Sequence, residues 1–163
     1  MDRRSLIASA ALAGSALAVP AKAQDVATTQ SVIERFAATL SAHDIAGFAA
    51  LFADEYVNHQ VSAAAPAPPP GKSQKQASVD FFAARLAGIP DLRCTVEASV
   101  ATADKAAASF VYAGTHGGTY FGVAPTGRAL RFTSCDIFLV KGGLIVEHWG
   151  MGDIAGVLAQ LRA

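Results

Sequence analysis

Two residues in the last third of the chain have the types and spacing to move a proton. Asp136 lies in Phe132-Thr-Ser-Cys-Asp136-Ile-Phe-Leu-Val140, and His148 lies in Ile145-Val-Glu-His148-Trp-Gly-Met-Gly-Asp153. Both segments read as apolar strands, joined by Lys141-Gly142-Gly143. An ionisable group inside an apolar strand is costly unless it is paired. If those three residues form the whole turn, Val140 opposes Leu144, Phe138 opposes Val146 and Asp136 opposes His148. Opposed side chains share a face with Cβ atoms roughly 5 Å apart. A carboxylate beside an imidazole fixes the ring's tautomer and raises its pKa, which suits general acid and base work. The same pair also reads as a satisfied contact that ties two strands together. A one-residue change of register would separate the partners.

Around this pair the sequence supplies further candidates. His116 in the Gly-rich bend Gly114-Thr-His116-Gly117-Gly118 joins Asp136 and His148 as a catalytic candidate. His116, Tyr56 and Asn58 are candidate hydrogen-bond donors to a bound ligand. Tyr56, Asn58, His59, Tyr120, Trp149 and Asp153 are the expected substrate contacts. Competing readings stand beside several of them: His59 as a plain loop residue, Trp149 as core or subunit contact, Asp153 as a helix N-cap.

The elements that must position these residues follow from periodicity. Ser31 to Ala42 carries Val32, Phe36 and Leu40 at helical spacing. Asp44 caps a second short helix bearing Ile45, Phe48 and Phe52. Ser73 with Gln76 is a capping-box pattern that opens a third helix with Val79, Phe82, Ala83 and Leu86 on one face, ended by Gly88 and Pro90. Between them, residues 63–71 hold three consecutive prolines and read as an exposed loop. From Leu92 the period becomes two, with Leu92, Cys94, Val96, Ala98 and Val100 on the apolar side. Strands over Ala106–Thr115, Ala129–Val140 and Leu144–Met151 follow, then a short helix, Ile154–Leu161. Helices first and an antiparallel meander after predict an α+β domain with helices on one side of the sheet.

Apolar residues are 52% of the 163-residue chain and charged ones 16%, so the protein is globular and not disordered. Net charge is zero and no basic stripe exists, which argues against a nucleic-acid partner. Residues 1–23 read as an export signal of the twin-arginine or general secretory kind. Arg3-Arg4 precedes the apolar run Leu6–Val19, and Ala21-Lys22-Ala23 is a small-x-small cleavage site before Gln24. The run is too short for a permanent span, so no stable membrane anchor is expected, and residues 24–163 form one exported domain, periplasmic or secreted. Cys94 and Cys135 are expected as two buried free thiols, with a disulfide as the alternative. Neither C-x-x-C nor H-E-x-x-H occurs, so no metal site is expected.

From Gln30 onward the chain resembles the SnoaL-like polyketide cyclase (ester cyclase) family of the NTF2-like superfamily. The matching pieces are Tyr56-Val-Asn-His59, Ile89-Pro-Asp-Leu-Arg93, Gly114-Thr-His116, Gly122-Val-Ala-Pro-Thr-Gly127, Asp136-Ile-Phe138 and Glu147-His-Trp149 with Asp153. The resemblance implies an NTF2-like cone, with N-terminal helices packed on a curved, mainly antiparallel sheet, and often a homodimer. It also implies a pocket for a hydrophobic small molecule and an intramolecular aldol closure without cofactor or metal. In that family the general acid/base is an Asp two residues after the last-strand His. That position here is Gly150, and a pocket His of the preceding strand corresponds to Asp136. The reading is therefore proton abstraction α to a carbonyl by the Asp136–His148 pair, with Asp153 as a weaker substitute for the acid. The alternatives are a non-catalytic exported protein that binds an apolar ligand in the same cone, and water addition to an epoxide by Asp136 with Asp153.

Overall fold

The structure is a computed structural model that describes residues 21–60 and 67–163. Most of the expected export signal and residues 63–66 of the Pro-rich stretch lie outside the described residues. Helix α1 spans Ala21–Ser41, so it begins well before Ser31 and takes in the expected cleavage site. Ala21, Lys22, Ala23, Gln24 and Ala27 are good helix formers. Two side chains just ahead of Ser31 also hold the helix to the sheet: Thr29 donates to the Ala103 carbonyl (2.9 Å) and Gln30 to Ser99 (3.1 Å).

Helix α2 (Ile45–Ala49) is capped by Asp44, which accepts the Gly47 N–H. Strand β1 (Phe52–Asn58) follows. Helix α3 (Gln74–Gly88) starts at Ser73, which accepts the Gln76 N–H. The Gln76 side chain turns to Asp80 instead of reaching back, so only half of the capping box forms. Strands β2 (Arg93–Ala101), β3 (Lys105–Thr115), β4 (Ala129–Lys141) and β5 (Leu144–Gly152) lead to helix α4 (Ile154–Arg162). The sheet order is β1-β5-β4-β3-β2, antiparallel throughout except for β1 beside β5. This is the expected α+β fold with a curved, open sheet. Helices α1 and α3 cover its inner face, and Phe36 of α1 is the hub. Its ring lies 4.9–5.5 Å from those of Phe48, Phe82, Phe110 and Phe138, joining both helices to the sheet.

Three sequence expectations need correction. Strand β1 is absent from the periodicity reading, because Phe52 and Tyr56 are its buried positions and a register shift between Phe52 and Val57 breaks the two-residue repeat. In β2 a bulge between Val96 and Ala98 reverses the alternation, so Val100 points outward and is 70% exposed. The β4–β5 turn is two residues long, not three. Lys141 pairs with Leu144, and Gly142 and Gly143 both have positive φ (57° and 77°), the backbone that a tight hairpin turn of this twist requires. A bulge then leaves Val146 unpaired, and Asp136 opposes Gly150 while His148 opposes Phe138. Each departure shifts the register by one residue. Together they restore the parity, so Asp136 and His148 still share a face, as diagonal neighbours.

The cysteines are free, and Cys135 is exposed on the outer face, not buried, while Cys94 is buried on the inner one. Opposite faces of one sheet preclude a bridge. Burial, the largest effect, pushes the Cys94 thiol up to about 12. A thiol reagent at pH 8 is therefore expected to label one group per native chain, Cys135, and two after unfolding in urea. Two fast-reacting thiols in the native protein would contradict this placement.

Candidate active site

Asp136 and His148 meet on the inner face, at 5% and 4% exposure. His148 Nε2 lies 2.7 Å from Asp136 Oδ1. A carboxylate only accepts, so Nε2 carries the proton, and in the neutral ring Nδ1 accepts from the Tyr56 hydroxyl at 3.0 Å. Tyr56 in turn lies 3.4 Å from Ser78 Oγ, which accepts the Asn58 amide at 3.3 Å. On the other side Ser134 gives its one proton to Asp136 Oδ2 at 2.5 Å and so accepts the Tyr112 hydroxyl at 3.4 Å. The chain of donors thus converges on a single acceptor, Asp136, which receives two hydrogen bonds and has lone pairs to spare. Both nitrogens of His148 are engaged, so the imidazole orients the carboxylate and does not itself face a ligand.

Burial raises the Tyr56 hydroxyl above its ordinary range, with the Ser78 bond opposing and the Asp136 charge adding to the shift. Burial likewise holds Tyr112 well up, against the pull of Arg85. Both phenols therefore stay protonated at neutral pH and remain donors.

The strands on either side of the carboxylate carry only small residues opposite it. Asp136 lies between Ala108 on β3 and Gly150 on β5. A Cβ at Gly150 would sit 2.8 Å from both Asp136 Oδ1 and His148 Nε2. The position where the resemblance puts an acid on β5 is therefore the one whose side chain would collide with the pair. The carboxylate reaches that spot from β4 instead. At Gly152, opposite Ser134, a Cβ would meet nothing closer than 3.8 Å. The inner face of β5 beyond His148 thus carries no side chain against Asp136 and Ser134.

The other candidates scatter. Tyr56 and Asn58 join the hydrogen-bonded chain. His116 is fully buried, but it follows Thr115 at the far end of β3, roughly 24 Å along the strand from the Ala108 position. Its Nδ1 takes the Thr126 hydroxyl at 2.9 Å, and its Nε2 has no partner. His59 and Trp149 lie on the outer side of the sheet. Their rings stack at 4.5 Å with a 6° tilt, and His59 Nε2 is 2.8 Å from Glu147. Trp149 is thus on the face opposite His148. Asp153 is exposed and caps α4 through the Gly156 N–H, which supports its structural reading. Tyr120 is buried and accepts from Arg85 Nε at 3.2 Å. Sequence reasoning missed Arg85, Ser78, Tyr112 and Ser134. A signal existed for Arg85, which lies three residues after Phe82 on the buried face of α3.

One patch of the outer face of the sheet is apolar. Val100, Ile137, Trp149 and Met151 stand exposed around a shallow groove of about 560 Å³ floored by Ala98, Ala107 and Ser109 among others. Among the described residues no helix is long and apolar enough to cross a membrane, and no group of three or more His, Cys, Asp or Glu is placed to hold a metal ion.

Comparison with known proteins agrees with this architecture. The SnoaL-like polyketide cyclase family matches residues 30–161. No curated protein matches the sequence. Among solved structures, IdmH of Streptomyces antibioticus, described as a candidate polyketide cyclase, is 31% identical at a TM-score of 0.70, covering 83% of this chain and 99% of its own. TsrD of Streptomyces laurentii is 26% identical at 0.69, covering 83% and 95%. AclR of Streptomyces galilaeus, described as a candidate hydroxylase, is 23% identical at 0.70, covering 84% and 82%, and it shares the fold.

Proposed function

The chain belongs to the SnoaL-like polyketide cyclase family, and from that premise we propose that it is an acid/base enzyme acting on an apolar, carbonyl-bearing small molecule. The observation that carries this reading is the buried Asp136 carboxylate, the single acceptor on which the His148 and Ser134 donors converge. Asp136 removes a proton from the carbon α to a carbonyl, and the resulting enolate carbon attacks a second carbonyl of the same molecule. One C–C bond forms. The protonated Asp136 then returns its proton to the new alkoxide, so atoms balance and the catalyst is regenerated. A panel of aromatic β-keto esters and the corresponding acids in D₂O tests this. The expected result is enzyme-dependent α-deuteration or cyclised product by NMR. Probes that bind yet exchange no faster than in buffer would favour the reading as a binding protein.

We further propose that a second copy of the chain covers the outer face. Its ridge of Ile137, Trp149 and Met151 lies beside a trough of small residues, so two copies related by a two-fold axis can seat ridge in trough. The wild type is expected to elute as a dimer in light-scattering chromatography and Met151→Glu as a folded monomer. A monomeric wild type at 100 µM would refute the pairing.

A further inference from the structure

Arg85 is the buried charge that the Asp136 chain does not use. It is 4% exposed and sits on the inner face of α3. Its guanidinium carbon lies 4.6 Å from the ring centre of Tyr112, 4.8 Å from Phe82, 5.0 Å from Phe81 and 5.3 Å from Phe132. Of the five N–H groups that a guanidinium carries, one is bound to a described residue, Nε to the Tyr120 oxygen. None of the ion pairs among the described residues includes Arg85. Its terminal nitrogens are also not sealed in, because among those residues the one fully enclosed side-chain polar atom without a partner is His116 Nε2. They therefore keep a trace of exposure at the edge of an aromatic cage. A buried cation with no counter-ion is a costly arrangement to keep, and rings alone do not satisfy the planar fork of donors that arginine presents.

The position of this cation relative to the carboxylate is equally informative. Tyr112 separates the two: its ring lies under the guanidinium, and its hydroxyl reaches Ser134, which holds Asp136. Asp136 is already bound on both oxygens and does not neutralise Arg85 directly. We propose that Arg85 is the receptor for a carboxylate on an aromatic ligand, so that the molecule presented to Asp136 is an organic anion and not a neutral ester. The charged end docks on the guanidinium fork as a two-point contact, and the ring system lies among Phe81, Phe82 and Phe132. This inference rests on the acid/base reading of the same site for its substrate, but not for the binding itself.

The test is calorimetric titration of 2-naphthoate and methyl 2-naphthoate at pH 7 into the wild-type protein, Arg85→Met, Arg85→Lys and Asp136→Asn. Wild type is expected to bind the acid at least tenfold more tightly than the ester. Arg85→Met fills similar volume, should melt no lower than wild type, and should lose the preference. Arg85→Lys keeps the charge but not the fork and should fall between. Asp136→Asn should retain the full preference. Equal or tighter binding of the ester, unchanged acid binding by Arg85→Met, or no binding of either probe would overturn the proposal. Retained acid preference together with no α-proton exchange by wild type would sink the acid/base reading and leave the anion site standing.

Discussion

Replacing Asp136 by Asn is expected to lower α-proton exchange by about 10²- to 10⁴-fold, the usual contribution of a positioned general base, in a protein that still folds. The expectation follows from the direction of the hydrogen bonds. His148 Nε2 and Ser134 Oγ both donate to residue 136. An asparagine oxygen can keep the His148 bond, but its NH₂ group then meets Ser134 as a second donor. Ser134 must turn its proton toward Tyr112 and accept from the amide instead. One re-routed buried bond costs roughly 1 kcal/mol, well within the stability of a domain of this size. What the amide cannot do at any pH is take a proton from carbon. His148→Ala removes the orienting donor and leaves the carboxylate, so its loss should be smaller. Exchange rates by NMR, with thermal unfolding run in parallel, separate the two effects. Wild-type exchange in Asp136→Asn would remove the carboxylate from the mechanism.

The sequence carried the fold in β3 and above all in β4, where alternation along the strand marks the inner face. Parity alone put Asp136 and His148 together. The register did not follow, because neither the two-glycine turn nor the bulge at Val146 leaves a mark in the hydrophobic pattern. The two errors cancelled in parity, so contact survived while the opposed partner changed from His148 to Gly150. The β2 bulge had no compensating partner, and there the alternation placed Val100 on the wrong face. Arg85 was legible only in its spacing from Phe82 on α3. An arginine in a helix is ordinarily a solvated residue, and only the convergence of four rings from α3, β3 and β4 shows that this one is enclosed. His59, Trp149 and His116 show the converse limit. Proximity along the chain to His148 or to a glycine-rich bend says nothing about which side of a sheet, or which end, a ring occupies.

Gly150→Ala is expected to destabilise the protein by about 2–4 kcal/mol, a large effect for one methyl group in a strand. Overpacking a tight site costs roughly 1–3 kcal/mol, and disturbing a buried charged pair costs roughly 3–5 kcal/mol when a partner is lost outright. Here the added carbon would fall 2.8 Å from Asp136 Oδ1 and from His148 Nε2, both ends of one hydrogen bond, and 2.9 Å from His148 Cε1. Neither partner has room to retreat. Asp136 is held from its other side by Ser134, and the His148 ring is stacked 5.0 Å from Phe138 and bonded to Tyr56. The methyl group must therefore break the pair or bend β5. Urea unfolding of Gly150→Ala, Asp136→Ala and the double variant distinguishes this collision from an ordinary glycine effect. Without the carboxylate, His148 can move into the vacated space, so the methyl group should cost at least about 1 kcal/mol less in the Asp136→Ala background. Additive losses would mean that residue 150 is tight against the backbone alone. A strong coupling would establish that a side chain at 150 and the Asp136–His148 bond exclude each other, which is the physical reason a carboxylate on β4 requires a glycine on β5.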